Sequence, residues 1–424
     1  MKNDNVISGR DLYRLPWNLA DNVFSWLEPT SMCNLACQGC YRTNVKGSHK
    51  SLDEIRRELD VFQQKRNADC MMIAGGEPLL HPQIIGIVRE IASRGLKPYI
   101  GTNGLLLTRE LLLDLKKAGL CSIGFHIDSK QGRGGRWRGK NEIELNDLRL
   151  EFAHLVADVG DISCSFDATV YEDTLQYVPD LVSWAHQHID IVHDIAFVAY
   201  RQVAPESRFQ WFAGSKPIGW QALPYRPDGS HSRDVLSTDM VVRMREAYPD
   251  FSPAAYLNGS ENVDSFKWLI SVRIGTRKQI YGYPGPKFME LVMDFHHFTK
   301  GTYPGGGLSS PSKHGRAAML LLWPFDRGMR RTAVRMLRNP LNLLRHAHIQ
   351  TVVFIQPIDF MPDGRQSMCD GCPDMTVFNG ELVWSCRLEE MIHYGTMLRS
   401  ALTNGAVVES TVQEDGSKQE GVGK

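Results

Sequence analysis

The run Pro29-Thr30-Ser31-Met32-Cys33-Asn34-Leu35-Ala36-Cys37-Gln38-Gly39-Cys40-Tyr41 follows an apolar, strand-like stretch from Val23 to Leu27. It places three thiols, Cys33, Cys37 and Cys40, on one short loop, too close together to be three independent core cysteines. A Cys-x3-Cys-x2-Cys triplet supplies three thiolates to a cubane of four irons and leaves one iron open for a small molecule. A structural zinc normally takes four protein ligands, and no fourth Cys or His follows at finger spacing before His49. An iron–sulfur cluster is the favoured reading, with zinc or a reactive thiol as the alternatives.

Outward from that loop, residues 22–200 alternate strand and helix patterns with short links. Strands are expected at Val23–Glu28, Asp69–Ala74, Lys97–Gly101, Leu120–Ile127, Asp161–Phe166 and Ile191–Ala199. Helices are expected at Leu52–Lys65, Pro82–Arg94, Arg109–Ala118, Glu142–Val159 and Thr174–His188. Such repeats build a parallel α/β sheet, which periodicity alone allows to be a curved partial barrel or an open doubly wound sheet. In both, the site lies at the carboxyl ends of the strands. After strand two stands Gly75-Gly76-Glu77-Pro78, where two glycines let backbone approach a ligand closely and Glu77 offers a carboxylate. After strand three stands Thr102-Asn103-Gly104, a turn by composition. Strand four ends in His126-Ile127-Asp128, whose two polar side chains share one face; they flank a ligand or form a satisfied buried pair. Strand five carries Ser163, Ser165 and Asp167 on one face, and His193-Asp194 and later Tyr200-Arg201, read as ending strand six, are further substrate candidates. The cation-rich, glycine-rich segment Lys130 to Lys140 suits an exposed mobile loop that grips phosphate or carboxylate, or simply a solvated one.

The cysteine spacing resembles that of the radical S-adenosylmethionine (radical SAM) enzymes, and the likeness runs through residues 22–200. It implies a partial (β/α)6 TIM-like barrel and a [4Fe-4S] cluster on Cys33, Cys37 and Cys40 whose open iron chelates SAM. An electron from a reducing partner such as flavodoxin or ferredoxin then splits SAM to a 5'-deoxyadenosyl radical, which takes a hydrogen atom from an unactivated C–H bond. Gly75, Gly76, Glu77 and Pro78 resemble the family's GGE motif, which binds the SAM amino group. Thr102 and Asn103 match polar residues facing SAM, Ser165 matches one that holds the ribose, and His126 and Asp128 become the candidate catalytic pair. One position departs: the residue before the third cysteine is usually aromatic and is Gly39 here, so an adenine contact has to come from backbone or from Tyr41.

Composition bounds the remainder. A chain of 424 residues with 42% hydrophobic and 23% charged residues has the make-up of an ordinary two-domain protein. Lys plus Arg equals Asp plus Glu at 48 each, so no global field points to nucleic acid. Nine cysteines are too few for a disulfide scaffold, and six fall in two tight groups, which suggests metal in a reducing compartment. Cys70, Cys121 and Cys164 read as buried small hydrophobes. The start of the chain has no apolar signal-peptide core, and the apolar run Ala317–Phe325 is too short to span a bilayer, so the expected location is the cytoplasm, with peripheral contact to a membrane left open.

Residues 1–21 read as an N-terminal extension, 22–200 as the barrel, and 201–350 as an irregular, aromatic-rich lid or substrate-binding insertion. Helices are expected within it at Asp239–Ala247, Ser265–Gly275 and Lys287–Phe298; His296 and His297 diverge on the last of these and make a poor metal pair. Residues 317–349 are amphipathic and basic, with Arg327, Arg330, Arg331, Arg335, Arg338 and Arg345, suited to an anionic membrane surface or to packing on the barrel. A small C-terminal auxiliary-cluster domain, 351–403, opens with a strand at Thr351–Ile358. It continues with Cys369-Asp370-Gly371-Cys372, a hairpin turned at Asn379-Gly380 and Cys386. This resembles the auxiliary-cluster extensions called SPASM and twitch domains. No cysteine follows Cys386, so a second cluster has an open iron or a non-Cys ligand such as Asp370, Asp374 or substrate; a zinc knuckle and structural thiols are the alternatives. Residues 404–424 read as a disordered tail. The favoured substrate is apolar or lipid-like, from the basic amphipathic segment and the aromatic insertion. Modification of a ribosomal peptide is the rival chemistry, and a non-catalytic iron–sulfur or zinc protein the rival class.

Overall fold

The computed structural model describes residues 7–201, 209–219, 222–223, 234–262, 265–305, 322–339, 345–361 and 363–402. The expected tail, 404–424, lies outside the described residues, as do Pro340, Leu341 and Leu344 of the basic segment. Six parallel strands, β1 (Phe24–Thr30), β2 (Cys70–Gly75), β3 (Lys97–Thr102), β4 (Ser122–His126), β5 (Ser163–Val170) and β6 (Asp194–Ala199), lie side by side in chain order. The crossovers carry α1 (Leu52–Lys65), α2 (Ile84–Ser93), α3 (Arg109–Lys117), α4 (Asn146–Val159) and α5 (Val178–Gln187). Local chemistry fixes several of these ends. Ser51 Oγ accepts the Glu54 N–H at 3.3 Å while the Glu54 carboxylate takes the Ser51 N–H at 2.7 Å, a reciprocal cap that starts α1. Thr108 caps α3 in the same way, from one side. Ile73, Ile100, Ile123, Phe125 and Phe166 pack with the helices in one core, which leaves the other face of each strand for polar side chains.

The curved sheet does not close, consistent with a partial TIM-like barrel. Past β6 it continues through β9 (His348–Ile355), β8 (Phe266–Thr276) and β7 (Ala255–Asn258), and Tyr13–Arg14 pairs with β7. β9 is a seventh parallel strand, with Val353 opposite Ala196, and β8 runs antiparallel to it, with Ile270 opposite Val353. Here the expected helix at Ser265–Gly275 is corrected to a strand. Ten of the eleven residues of β8 are buried, and an apolar run covered on both faces shows no period from which helix and strand can be told apart; pairing on both edges decides.

The helices α6 (Ser237–Ala247), α7 (Pro286–Lys300) and α8 (Arg327–Leu337) flank this extension. Asp326 serves two helix starts, accepting Gly285 N–H at 2.9 Å and Met329 N–H at 2.7 Å. The apolar side of α8, Met329, Thr332 and Met336, is buried, with both methionines in one cluster with Met289 and Met293; that stretch packs on the sheet. His296 and His297 have separate partners, Thr302 O and Asp21. At the C-terminal end, β10 (Met375–Phe378) and β11 (Glu381–Trp384) form the expected hairpin, with Asn379 and Gly380 both at positive φ, 50° and 79°. It packs on β1 and α1 and leads to α9 (Leu388–Tyr394). Cys70 and Cys164 are buried as expected, but Cys121 is exposed, because it precedes β4 in the turn after α3. No helix among the described residues is long and apolar enough to cross a membrane.

Candidate active site

The carboxyl ends of the parallel strands gather around the cysteine loop. The Gly76 N–H donates to Thr30 O at 2.9 Å and the Glu77 N–H to Met32 O at 2.8 Å. A Cβ at Gly76 would stand 2.3 Å from Met32 O, and one at Gly75, where φ is +105°, 2.6 Å from Thr30 O. The close approach these glycines allow is therefore to the cysteine loop itself. Glu77 is buried, its carboxylate accepting from Thr102 Oγ1 (2.6 Å), Asn103 N (2.8 Å) and Leu79 N (3.0 Å). Burial holds its pKa above the ordinary value against those donors. Asn103 reaches on through Nδ2 to Asn34 Oδ1 at 2.7 Å, and Pro78 is buried at the start of a short turn. Glu77, Thr102 and Asn103 thus brace the ends of β2 and β3 against the loop. Asn44 brackets Cys33, accepting its N–H at 3.0 Å and donating to its carbonyl at 2.8 Å.

Two features of the mouth escaped the sequence reading. Arg133 is no exposed loop cation: it is buried, donating through Nε to Gln131 Oε1 (2.8 Å) and through Nη2 to Asn103 O (2.9 Å) and His126 O (3.0 Å). Its Nη1 is buried with no hydrogen-bond partner among the described residues, and Asp128, Arg149 and Glu77 are its charged neighbours, with the Cys37 thiol close by. Secondly, a Cβ at Gly39 would stand 2.3 Å from the Tyr200 ring, which lies 4.7 Å from that of Tyr171; the Tyr171 hydroxyl donates to Gln38 O at 2.6 Å. Tyr200 fills the space that a side chain at position 39 would take. Tyr41, expected together with backbone as a source of an adenine contact, packs against the cluster of Trp211, Leu223, Ile358, Met368 and Leu398.

On the sheet face opposite the helices lies a polar floor. Tyr99 Oη and Ser165 Oγ meet at 2.5 Å over Gly124, where a Cβ would stand 2.6 Å from the first and 2.7 Å from the second. Ser165 is thereby held by Tyr99, another residue the sequence reading missed. Further along, His126 lies in register with Asp167, and its Nε2 is 3.0 Å from Asp128 Oδ2 and 3.1 Å from Thr169 Oγ1. Burial opposes charge on His126, but Asp128 and Asp167 hold its pKa above the ordinary value. Asp128 is held below its own, against burial, by His126 and by the N–H groups of Lys130 and Thr169. The two form a hydrogen-bonded pair that becomes an ion pair when His126 is protonated. Burial pushes the Asp167 carboxyl up to about 6, with His126 opposing. His193-Asp194 stands at the start of β6, not its end. The His193 Nδ1 accepts the Cys164 N–H at 3.0 Å, and burial lowers its pKa to about 4, as for a neutral core histidine.

The second thiol group is built differently. Cys369 and Cys372 are buried. The Cys372 thiol is pushed far up by hydrogen bonding to Cys369, by burial and by Cys369, Asp374 and Cys386 nearby; Cys386 is pushed up to about 12 by burial and Cys369. Trp17 and Trp268 share an apolar cluster with Cys369 and Cys372, and Trp384 packs against it. Arg66 donates through Nη2 to Cys372 O at 2.5 Å. The Nε1 of each of these tryptophans, Nε and Nη1 of Arg66 and Oδ1 of Asp374 are all buried without a hydrogen-bond partner among the described residues. Arg42 ties the two thiol groups together: it grips both Glu28 oxygens at 2.6 and 2.5 Å and donates to Ser385 O at 2.5 Å.

Residues 27–184 match the sequence profile of the Radical SAM superfamily. They form a radical SAM domain. The chain is similar to the tungsten-containing aldehyde ferredoxin oxidoreductase cofactor-modifying protein of Pyrococcus furiosus, 33% identical over 25% of this chain and 30% of that one. It is likewise similar to the AdoMet-dependent heme synthase of Methanosarcina barkeri, 31% identical over 26% and 32%. It spans about a third of the length of these two relatives. Among solved structures, Streptococcus suis SuiB bound to S-adenosylmethionine aligns at 16% identity over 55% of this chain and 48% of that one, with a TM-score of 0.39. A [4Fe-4S] cluster and SAM are the cofactors of the radical SAM family, and the residues at the mouth fit both. Burial and neighbouring charges raise the Cys33 thiol and push Cys37 up to about 12, so three thiolates here call for a cationic centre. Arg133 keeps a buried donor beside them for an anionic ligand.

Proposed function

We propose that the chain is a radical SAM enzyme that reductively cleaves SAM and abstracts hydrogen from an unactivated C–H bond of a substrate seated on the polar floor. The observation that carries this reading is the continuous hydrogen-bonded bracing from the cysteine loop through Glu77, Asn103 and Arg133 to His126. A [4Fe-4S] cluster on Cys33, Cys37 and Cys40 would supply the electron that converts bound SAM to its 5'-deoxyadenosyl radical, with a flavodoxin or ferredoxin as reductant. The chain's own residues bind and aim. Arg133 Nη1 takes the SAM carboxylate, and backbone at Gly75 to Glu77 takes the amino group. His126, its Nε2 engaged by Asp128 and Thr169, has its ring fixed beside the substrate. A mere electron carrier needs the cysteines but has no use for this floor.

The floor also refines the substrate. A wholly hydrocarbon substrate would cover the partly exposed Asp167 carboxyl with apolar atoms and desolvate it, at a cost of about 1–3 kcal/mol. The lipid-like reading is therefore best met by an amphiphile whose polar end reaches the floor. Phe295, Phe298 and Phe325, which are 70, 89 and 67% exposed, support peripheral membrane contact of a cytoplasmic enzyme. The same floor admits a polar peptide side chain, the rival reading.

The test is anaerobic reconstitution followed by counting iron and sulfide and assaying dithionite-driven 5'-deoxyadenosine. About eight irons per chain are expected, falling to about four when either cysteine group is replaced by Ala, with cleavage lost on replacing Cys33, Cys37 and Cys40. Iron without any SAM cleavage would sink the enzyme reading. Incubation with lipid extracts and with synthetic peptides then separates the two substrates.

A further inference from the structure

We propose that Asp374 is the fourth protein ligand of a second iron–sulfur cluster held by Cys369, Cys372 and Cys386, so that this cluster has no position open to substrate. The inference rests on the auxiliary-cluster part of the function proposed above. Three thiolates satisfy three of a cubane's four irons, and the last needs a donor. The sequence leaves Asp370 and Asp374 as equal candidates, and their surroundings separate them.

The side chain of Asp370 is 54% exposed and pairs with Arg14, so its carboxylate is turned outward and engaged. Asp374 stands two residues beyond Cys372, and its carbonyl accepts the Ser385 N–H at 2.9 Å, which sets it beside the residue preceding Cys386. Chain position and hairpin register thus bring it near two of the three thiols. Its Oδ1 is buried with no hydrogen-bond partner among the described residues. A buried carboxylate oxygen left alone is destabilising, and a metal bond removes that penalty. A cubane with three thiolates and a carboxylate is an anion. Arg66, 4% exposed and holding two buried N–H groups without partners, is the matching cation. The sulfides of the cluster would also accept from these donors.

With every iron ligated by protein, the second cluster passes electrons and does not bind substrate. The test uses the full-length chain with Cys33, Cys37 and Cys40 replaced by Ala, so that only the second cluster reports. Reconstituted and reduced, this protein is expected to hold about four irons and to give an electron paramagnetic resonance spectrum unchanged by cyanide. Adding Asp374→Ala should open one iron: cyanide then shifts the spectrum, and mild oxidation releases about one iron of the four. Asp374→Cys should restore insensitivity. The proposal is overturned if cyanide shifts the spectrum while Asp374 is in place, a reading that needs no substitution at that residue, or if Asp374→Ala behaves like its parent. Failure of the parent to hold iron would remove the second cluster altogether. SAM cleavage by the otherwise intact chain would then still stand, which distinguishes the loss of this inference from the loss of the enzyme reading.

Discussion

Cys33, Cys37 and Cys40 sit on a partly open loop whose polar neighbours Glu77, Thr102, Asn103, Asn34 and Asn44 are paired with one another and with backbone. Cys369 and Cys372, by contrast, are buried among tryptophan and arginine N–H groups that lack partners. At the mouth the protein has satisfied itself and leaves Arg133 Nη1 over for a ligand. Around the second group several buried N–H donors have no acceptor among the described residues. The difference teaches that, on the function proposed above, the first thiol group suits exchange with a small molecule and the second suits a group built into the fold.

The largest expected effect tests that contrast directly. Replacing Cys369, Cys372 and Cys386 together should lower the unfolding free energy of the reconstituted chain by several kcal/mol, because cluster binding there is coupled to folding. Replacing Cys33, Cys37 and Cys40 should cost under about 1 kcal/mol, as loop changes usually do. Anaerobic urea titration measures both, and equal losses would break the contrast. Next comes the tie between the centres. Arg42→Met leaves Glu28 buried and unpaired, for a loss of roughly 3–5 kcal/mol, and should reduce the iron held at both sites rather than at one.

A smaller effect concerns ligand affinity alone. Arg133→Gln removes a charged donor worth about 1.5–3 kcal/mol and should raise the Kd for SAM by roughly 10- to 100-fold, with iron content unchanged; equilibrium dialysis reads it. The smallest effect lies on the floor. The folded-state pKa of Asp167, about 6, stands above its unfolded value. Its contribution to stability is therefore intact at low pH and is lost as pH rises through 6. Asp167→Asn should leave the melting temperature unchanged below about pH 4 and raise it above about pH 7; a gain that is the same at every pH would show that packing, not charge, is responsible.

Local pattern made much of this molecule legible. The alternation of β1 to β6 with α1 to α5, the cysteine loop and the hairpin at Asn379-Gly380 each depend on spacing or turn residues within a few positions, so the chain itself determines them. β8 was read as a helix because its apolar run has no period, and only its neighbours β7 and β9 made it a strand. Tyr200 over Gly39, Tyr99 meeting Ser165 across Gly124 and Arg133 folded under Asn103 are contacts between distant segments that no local pattern announces. Asp370 and Asp374 are alike in sequence, four residues apart on either side of Cys372. Burial tells them apart, because Asp370 is exposed and paired with Arg14 while Asp374 Oδ1 is buried without a partner among the described residues. Sequence spacing determined which residues could hold metal. The tertiary structure decided which charges were left without a partner, since desolvation is a property of what packs around a group and not of its place in the chain.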